Sequence, residues 1–227
     1  MPAQSVEAPG RRGRGGGTAR GGYPCAAVSR SVAVIYSHPY PTRSRAGRAL
    51  LEGLRDLPSV DVRMLYSLYP DFDIDVAAEQ RSLLAADVVI WQGPFYWYGV
   101  PALMSLWFEK VLAHGWAYGD DAHAVRGKTV LWVATTGGPE SSYRPGAMHG
   151  HPVEAFVPAI SQTARFCGMR WVDPPLVIHG AHRISNERLR EAAANYRSRV
   201  WQLAIAADDD GEGPAPAGGS GGRAVVS

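Results

Sequence analysis

The chain has 227 residues, of which 46% are hydrophobic and 10% aromatic, and this is enough apolar material for one well-cored domain. The formal net charge is +2, and residues 31–206 alone hold 17 basic and 16 acidic side chains, so charge gives no indication of a nucleic-acid partner. No window approaches the roughly 18 consecutive apolar residues of a membrane span, which predicts a soluble, cytoplasmic protein.

The chain begins with a Gly- and Arg-rich segment, residues 1–30, in which Glu7 is the only acidic residue. A segment of this composition buries too little apolar surface to fold, which predicts a disordered extension. An RNA- or phosphoinositide-binding segment and an overlong start of the reading frame are the alternatives. The folded domain is expected at residues 31–206.

The first predicted elements are a strand, a helix and a second strand. Residues 31–37 form a continuous β-branched run, which is typical of a strand buried on both faces of a parallel sheet. Residues 44–56 carry apolar side chains at helical spacing, with Ser44 as the N-cap. Residues 60–66 alternate in polarity and predict a shorter strand nearer the edge of the sheet.

The next elements repeat this order. Asp75 can cap a helix over residues 76–86, and the apolar run 87–92 predicts the third strand. A third helix is expected to start at Pro101, since proline is favourable in the first helical turn. Residues 128–135 predict the fourth strand.

The last predicted elements are a helix at 152–166, a fifth strand at 169–179 and a closing helix at 185–206, before an acidic, Gly- and Pro-rich tail at 207–227 that is expected to be disordered. Strand and helix therefore alternate five times. This order predicts an α/β protein with a flavodoxin-like three-layer sandwich, whose five-stranded parallel sheet has the strand order 2-1-3-4-5.

The two cysteines, Cys25 and Cys167, have no CxxC motif and no His-rich neighbourhood. A disulfide framework or a metal site is therefore not expected. Cys167 lies in an apolar helical context and is predicted to be a small core residue.

In an open α/β sheet, ligands bind beyond the carboxyl ends of the strands, at the point where the strand order reverses. The loops that follow strands one, three and four are therefore expected to meet at one site. These loops are residues 38–47, 93–99 and 135–150.

The first loop has the composition of a phosphate site. It delivers Thr42, Arg43, Ser44 and Arg45 to a helix N-terminus, where free N–H groups and the helix dipole favour an anion. Ser44 is equally compatible with a plain N-cap. His38 can donate to the phosphate or pack on the turn.

The second loop, residues 93–101, is unusually aromatic and is bracketed by glycine and proline. Clustered rings of this kind can form a rigid wall against a planar cofactor. Packing over the end of the sheet or in a dimer interface is the alternative interpretation.

The third loop combines Gly137 and Gly138 with Tyr143 and His149. The glycines let backbone N–H groups approach a flat or anionic ligand closely, because no Cβ is in the way. The ordinary pKa of histidine, about 6.5, suits His149 to accept or relay a proton, with Tyr143 as a hydrogen-bond donor. A surface histidine without a role is the simpler alternative.

Seven short motifs occur in a shared order and carry a resemblance to a known family. They are HPYP at 38–41, LYSLYPDF at 65–72, IDVAAEQ at 74–80, YWYGVPA at 96–102, WFEKV at 107–111, HGWAYG at 114–119 and TTGG at 135–138. Over roughly residues 32–177 the chain resembles the NAD(P)H:quinone oxidoreductase family. Within it, the similarity is greatest to the flavodoxin-like ancillary subunits of glutathione-gated potassium-efflux systems.

The resemblance implies a bound flavin, FMN as in the efflux ancillary proteins or FAD as in the longer quinone reductases. It implies that the flavin phosphate, ring and polar edge are held by His38, Ser44, Arg45, Ala46, Gly47, Phe95, Tyr96, Trp97, Tyr98, Thr135, Thr136, Gly137 and Gly138. It further implies that Tyr143 and His149 are catalytic, assisting hydride transfer and quinone protonation.

The implied activity is a ping-pong oxidoreductase reaction, in which hydride passes from NAD(P)H to the flavin and two electrons then pass to a quinone or similar aromatic acceptor. The resemblance also implies a homodimer, with residues 114–119 contributed across the interface. NADH and NADPH are not distinguished, because the family does not hold its nicotinamide in a GxGxxG site.

One alternative is regulatory: the chain is a docked subunit that activates a membrane potassium/proton antiporter, which would place it at the inner face of the cell membrane. The other is an electron-carrier flavodoxin. The carrier is disfavoured because flavodoxins use an acidic docking face and this domain is nearly neutral.

Overall fold

The structure is a computed structural model that describes residues 30–205. Apart from Arg30, the two predicted extensions lie outside the described part of the chain, as does Cys25. Parallel strands alternate with helices along the described residues. The strands are β1 (Val32–Tyr36), β2 (Val60–Met64), β3 (Val88–Pro94), β4 (Thr129–Thr135), β5 (Arg170–Trp171) and β6 (Leu176–Ile178). The helices are α1 (Arg45–Leu54), α2 (Leu65–Leu68), α3 (Val76–Ala85), α4 (Ala102–Val111), α5 (Val157–Phe166) and α6 (Asn186–Ile205).

The sheet has the order β2-β1-β3-β4-β5, and all of its pairings are parallel. This confirms the flavodoxin-like fold and the predicted strand order. The predicted N-caps are also present at two helices. Ser44 Oγ accepts a hydrogen bond from Gly47 N–H at 3.1 Å, and Asp75 Oδ1 accepts one from Ala78 N–H at 2.9 Å.

The fifth strand differs from its prediction as one continuous element at 169–179. It is divided into β5, which pairs with the start of β4, and β6, which pairs with its end. The interruption contains Pro174 and Pro175, and proline has no N–H to donate to a sheet ladder. The predicted second strand, 60–66, also ends early, because its last two residues begin α2.

Alternate residues of the central strands face the two layers of helices. In β1, Val32 and Val34 pack in one core with side chains of α1 and α6, while Ala33 and Ile35 pack in the other with α3, α4 and α5. Since every residue of β1 and β3 is buried, both strands need apolar side chains on both faces, which is the pattern seen in their sequences.

One carboxylate is fully buried in the α3–α4 layer. Glu79 accepts hydrogen bonds from Arg63 Nη2 at 2.7 Å and from Tyr69 Oη at 2.7 Å on one oxygen, and from Trp107 Nε1 at 2.9 Å on the other. These bonds connect β2, α3 and α4. They therefore fix the helix that follows the aromatic loop 93–101.

Candidate functional site

The carboxyl ends of β1, β3, β4 and β6 bring four loops together. Backbone hydrogen bonds join three of them directly. Phe95 N–H donates to Thr135 O at 2.8 Å, Ala181 N–H donates to Thr136 O at 2.8 Å, and Gly180 N–H donates to Gly138 O at 2.8 Å. These bonds join the loops after β3, β4 and β6, and the loop after β1 lies beside them, since the ring centroids of His38 and Tyr96 are 6.4 Å apart.

The start of α1 is tightly packed around its cap. Ser44, Ala46 and Gly47 are buried, and a Cβ on Gly47 would lie 2.3 Å from the Tyr36 hydroxyl and 2.6 Å from Ser44 Oγ. Only glycine fits there without displacing buried atoms. The backbone N–H groups at this helix start form a site that favours an anion.

The Arg45 guanidinium is engaged away from this helix start. Its Nη1 donates to Ile184 O at 2.7 Å and its Nη2 donates to Asn186 Oδ1 at 2.7 Å, at the beginning of α6. Arg45 therefore connects α1 to α6. The Arg43 guanidinium lies over the Tyr40 ring, 5.7 Å from its centroid.

The aromatic loop forms a tight turn with an unusual backbone. Gly99 N–H donates to Tyr96 O at 3.0 Å, and the two central residues, Trp97 and Tyr98, have φ values of 50° and 63°. These are the φ signs of a type I′ turn, in which glycine, asparagine and aspartate are preferred. The Trp97 side chain is 95% exposed and Phe95 is buried beneath the turn, so the backbone presents rings to the outside.

Tyr143 and His149 form a face-to-face pair. Their ring centroids are 4.0 Å apart with an interplanar angle of 10°. The backbone N–H of His149 donates to Ser142 O at 3.0 Å. The His149 ring also reaches the aromatic turn, where its Nδ1 lies 3.4 Å from the Tyr98 hydroxyl. The predicted catalytic pair and the predicted ring wall are therefore in contact.

Burial raises the pKa of the Tyr143 phenol above its ordinary value, and the Thr136 hydroxyl partly opposes this increase. The phenol is therefore protonated at neutral pH and available as a donor. His38 is half-buried, which lowers the pKa of its imidazole, as does the nearby His182; its Nδ1 accepts from Tyr40 N–H at 3.0 Å.

Two histidines of this region were not selected from the sequence. His179 Nδ1 lies 3.1 Å from the Thr136 hydroxyl, and burial lowers the pKa of its imidazole. His182 lies against Gly137, where a Cβ would be 3.3 Å from its Cδ2 and Nε2. Both follow the last strand of the sheet, so the rule that selected the loops after strands one, three and four would also have selected this loop.

The donors and surfaces present fit a flavin. The start of α1 suits a phosphate, the exposed rings at 96–98 suit a planar heterocycle, and Gly137 and Gly138 leave backbone groups approachable. The Gly138 position is restrictive, because a Cβ there would lie 2.7 Å from Ser142 Oγ and 3.5 Å from His149 Nε2. Among residues 30–205, no group of three or more His, Cys, Asp or Glu side chains is arranged to hold a metal ion.

Two cavities lie away from these loops. One cavity, of about 330 Å³, lies at the amino ends of the strands and includes Val32 and Val60 in its lining. The other, of about 400 Å³, lies between α4 and α5 and is lined in part by Tyr118 and Phe166, whose ring centroids are 4.9 Å apart. The segment 114–119 therefore packs beside α5 in its own chain. The side chains that could bind a ligand or carry a proton cluster at the carboxyl ends of the strands, and the candidate site is placed there.

Residues 30–200 match a protein-family model described as having a flavodoxin-like fold. A relative from Klebsiella pneumoniae (strain 342), the glutathione-regulated potassium-efflux system ancillary protein KefF, is 49% identical over 175 residues. That match covers 76% of this chain and 97% of the relative.

Three solved structures share the fold. The general stress protein 14 of Treponema denticola, in complex with FMN, is 30% identical with a TM-score of 0.70, over 76% of this chain and 99% of that one. A protein described as a thermophilic tryptophan halogenase from Streptomycin violaceusniger is 34% identical with a TM-score of 0.71, over 74% and 97%. An NADPH-quinone reductase from P. pentosaceus, 24% identical with a TM-score of 0.68 over 74% and 96%, shows the fold alone.

Proposed function

This chain belongs to the flavodoxin-like fold family, and we propose that it is a flavin-dependent oxidoreductase that transfers hydride from NAD(P)H to a quinone or similar aromatic acceptor. One observation carries the proposal. The aromatic turn and the Tyr143–His149 pair are joined through the contact between Tyr98 and His149, so a surface for a planar ring and two proton-carrying groups occupy the same place.

FMN is the proposed cofactor, with FAD as the alternative. The FMN complex of the Treponema protein, which is 30% identical to this chain, supports FMN. The start of α1, with Ser44, Ala46 and Gly47, would hold the phosphate, and the rings at 96–98 and the backbone at 135–138 would hold the heterocycle. His38 lies beside Tyr96, with ring centroids 6.4 Å apart, and would close the phosphate end of the site. When bound, the flavin supplies a hydride acceptor that a nicotinamide can reduce and an aromatic acceptor can reoxidise.

The chain's own residues have separate parts in this proposal. The exposed rings exclude water from one face of the site and stack on planar ligands. Tyr143 is protonated at neutral pH and donates a hydrogen bond or a proton to an acceptor oxygen, while His149 is held beside it by stacking. Because one face serves both substrates, the reaction is proposed to follow ping-pong kinetics.

The test begins with the absorption spectrum of the purified protein and the identity of the released flavin. The expected result is a yellow protein that holds FMN, is bleached by NADPH or NADH, and is reoxidised by a quinone. Initial rates at several acceptor concentrations should give parallel double-reciprocal lines. His149→Ala is expected to retain flavin and to lower acceptor turnover. A colourless protein that binds neither FMN nor FAD would overturn the proposal.

A second candidate function is regulatory, and the 49% identity to an ancillary protein of a potassium-efflux system favours it. In this case the chain, as a homodimer, would dock on a membrane antiporter from the inner face of the cell. Within residues 30–205, no helix has the length and apolar character needed to cross a bilayer. Co-purification with an antiporter, and altered potassium efflux from vesicles when the protein is added, would support this candidate. Sedimentation of the free protein as a monomer would contradict the homodimer.

A further inference from the structure

The Thr136 hydroxyl lies at the centre of a hydrogen-bonded group behind the site. Thr136 is fully buried at the end of β4, and its Oγ1 donates to Gly138 O at 2.8 Å. A hydroxyl has one proton to donate and two lone pairs to accept with. Since that proton goes to Gly138, the oxygen must act as acceptor toward His179 Nδ1, which is 3.1 Å away. The geometry therefore assigns the Nδ1–H tautomer to His179.

Tyr143 belongs to the same group. Its ring centroid is 5.7 Å from that of His179, and the Thr136 hydroxyl lowers the pKa of its phenol, which opposes the effect of burial. The stacked His149 ring is less well placed to bond that phenol, because the imidazole nitrogens point outward in the plane of their own ring. His149 Nδ1 instead lies near the Tyr98 hydroxyl. Tyr98 and His149 therefore form one pair, and Tyr143 lies with His179 and Thr136 in a second group.

We propose that His179 is a positioning residue for the candidate site, which acts on Tyr143 by holding the Thr136 hydroxyl in place. This inference rests on the proposed function. With Tyr143 protonated, the Thr136 proton points to Gly138 O. When Tyr143 gives up its proton, the Thr136 hydroxyl can turn its own proton to the phenolate, while the His179 N–H keeps the oxygen fixed. Loss of His179 removes the donor that holds the Thr136 oxygen when its proton turns away from Gly138 O, and leaves Tyr143 poorly supported as a donor.

Burial favours a neutral imidazole at His179. Burial lowers its pKa, although the carboxylates of Glu140 and Glu154 act in the opposite direction. A neutral ring carries one N–H, so a fixed tautomer is a definite property of the site. Because burial lowers its pKa, His179 becomes protonated only at a pH below the ordinary range of histidine.

The first experiment needs no flavin. Long-range 1H–15N spectra of the apoprotein, with ¹⁵N-labelled histidine, report which ring nitrogen carries the proton. His179 is expected as the Nδ1–H tautomer, and Thr136→Val is expected to release it to the Nε2–H form. His38 is the internal control, because its Nδ1 accepts from Tyr40 N–H and its proton must lie on Nε2. An Nε2–H tautomer at His179 in the unmodified protein would overturn the inference.

The second experiment uses the flavin-loaded protein and two variants. His179→Leu removes the donor, whereas the amide of His179→Asn places an N–H near the position of Nδ1 but does not titrate. One lost hydrogen bond corresponds to a roughly threefold to tenfold slower reoxidation by quinone in the Leu variant. The Asn variant should restore the rate to within about twofold, and reduction by NAD(P)H should be unchanged in both. In the unmodified protein the reoxidation rate should fall at low pH as His179 becomes protonated, and this fall should be absent from both variants.

The outcomes separate this inference from the proposed function. If the unmodified protein binds no flavin or is not reduced by NAD(P)H, the proposed function fails, and the tautomer measurement still decides the geometry. If the unmodified protein turns over and both variants keep its rates and its pH profile, the role of His179 is refuted. Should His179→Leu not fold, the Asn variant and the tautomer remain decisive.

Discussion

The aromatic turn offers a test in which stability and flavin binding change in opposite directions. Trp97 has a φ of 50°, in the left-handed region, and its side chain is 95% exposed. A non-glycine residue in that region costs about 1–2 kcal/mol, whereas glycine adopts it freely. Because the side chain buries almost no surface within the described residues, its removal should cost little packing energy.

The perturbation is the pair of substitutions Trp97→Gly and Trp97→Ala. Glycine relieves the strain but loses about 0.5–1 kcal/mol through the greater entropy of the unfolded chain, so it should exceed alanine in stability by about 1 kcal/mol. For a domain of this size that difference shifts Tm by about 2–4 °C. The control is the same pair of substitutions at Leu84, an exposed position in α3. There the glycine variant should be about 1 kcal/mol less stable than the alanine variant, because glycine is unfavourable in a helix.

The assay combines urea unfolding of the apoprotein with a titration of FMN fluorescence. Both Trp97 variants should bind FMN about threefold to tenfold more weakly, because each loses an aromatic contact of about 0.5–1.5 kcal/mol. Equal loss of affinity in both, together with higher stability of the glycine variant, supports a strained turn that presents its ring to a ligand. If alanine is the more stable variant, the strain argument is wrong, and if FMN affinity is unchanged, the ring does not contact the flavin.

Three further predictions concern the rest of the domain. Glu79→Ala leaves buried donors unpaired and should lower the free energy of unfolding, measured by urea denaturation, by about 3–5 kcal/mol. The control is Glu52→Ala, at an exposed ion pair of α1, which should cost less than about 1 kcal/mol. Similar losses in the two variants would refute the buried network. Burial raises the pKa of Tyr69 to about 12. The stability that depends on its neutral form is therefore complete below pH 10 and should be lost as the pH rises toward 12. The Tyr69→Phe variant should not show this loss. Burial raises the pKa of the Cys167 thiol to about 11. In a Cys25→Ser variant, the native protein should therefore react with a thiol reagent at pH 8 far more slowly than the urea-unfolded protein.

The central strands were predictable because each is buried on both faces and is therefore continuously apolar, and their order was predictable because strand and helix alternate along the chain. The boundaries were less predictable. The interruption of the fifth strand is explained by Pro174 and Pro175, which are visible in the sequence but were included in a strand because apolar residues flank them.

The site was predictable as a set of loops and less so as a set of contacts. Arg45 was predicted at a phosphate from its place at a helix start, and the bonds of its guanidinium to Ile184 O and Asn186 Oδ1, 139 and 141 residues away along the chain, could not be read from that place. The stacking of Tyr143 on His149 could not be read from their spacing, because it depends on the turn at Glu140–Ser142 and on the hydrogen bond from His149 N–H to Ser142 O. Contacts of this kind require the folded backbone.

The two candidate functions place separable demands on the chain. Electron transfer requires the ring surface at 96–98 and the groups around Tyr143, whereas activation of an antiporter requires a docking surface that a substitution inside the site need not alter. A variant such as His149→Ala, which is expected to retain flavin and lose turnover, therefore distinguishes them. If it still changes potassium efflux, activation depends on the bound flavin or on the fold and not on catalysis. If efflux is lost together with turnover, electron transfer is itself the signal, and the ancillary role is a consequence of the enzymatic one.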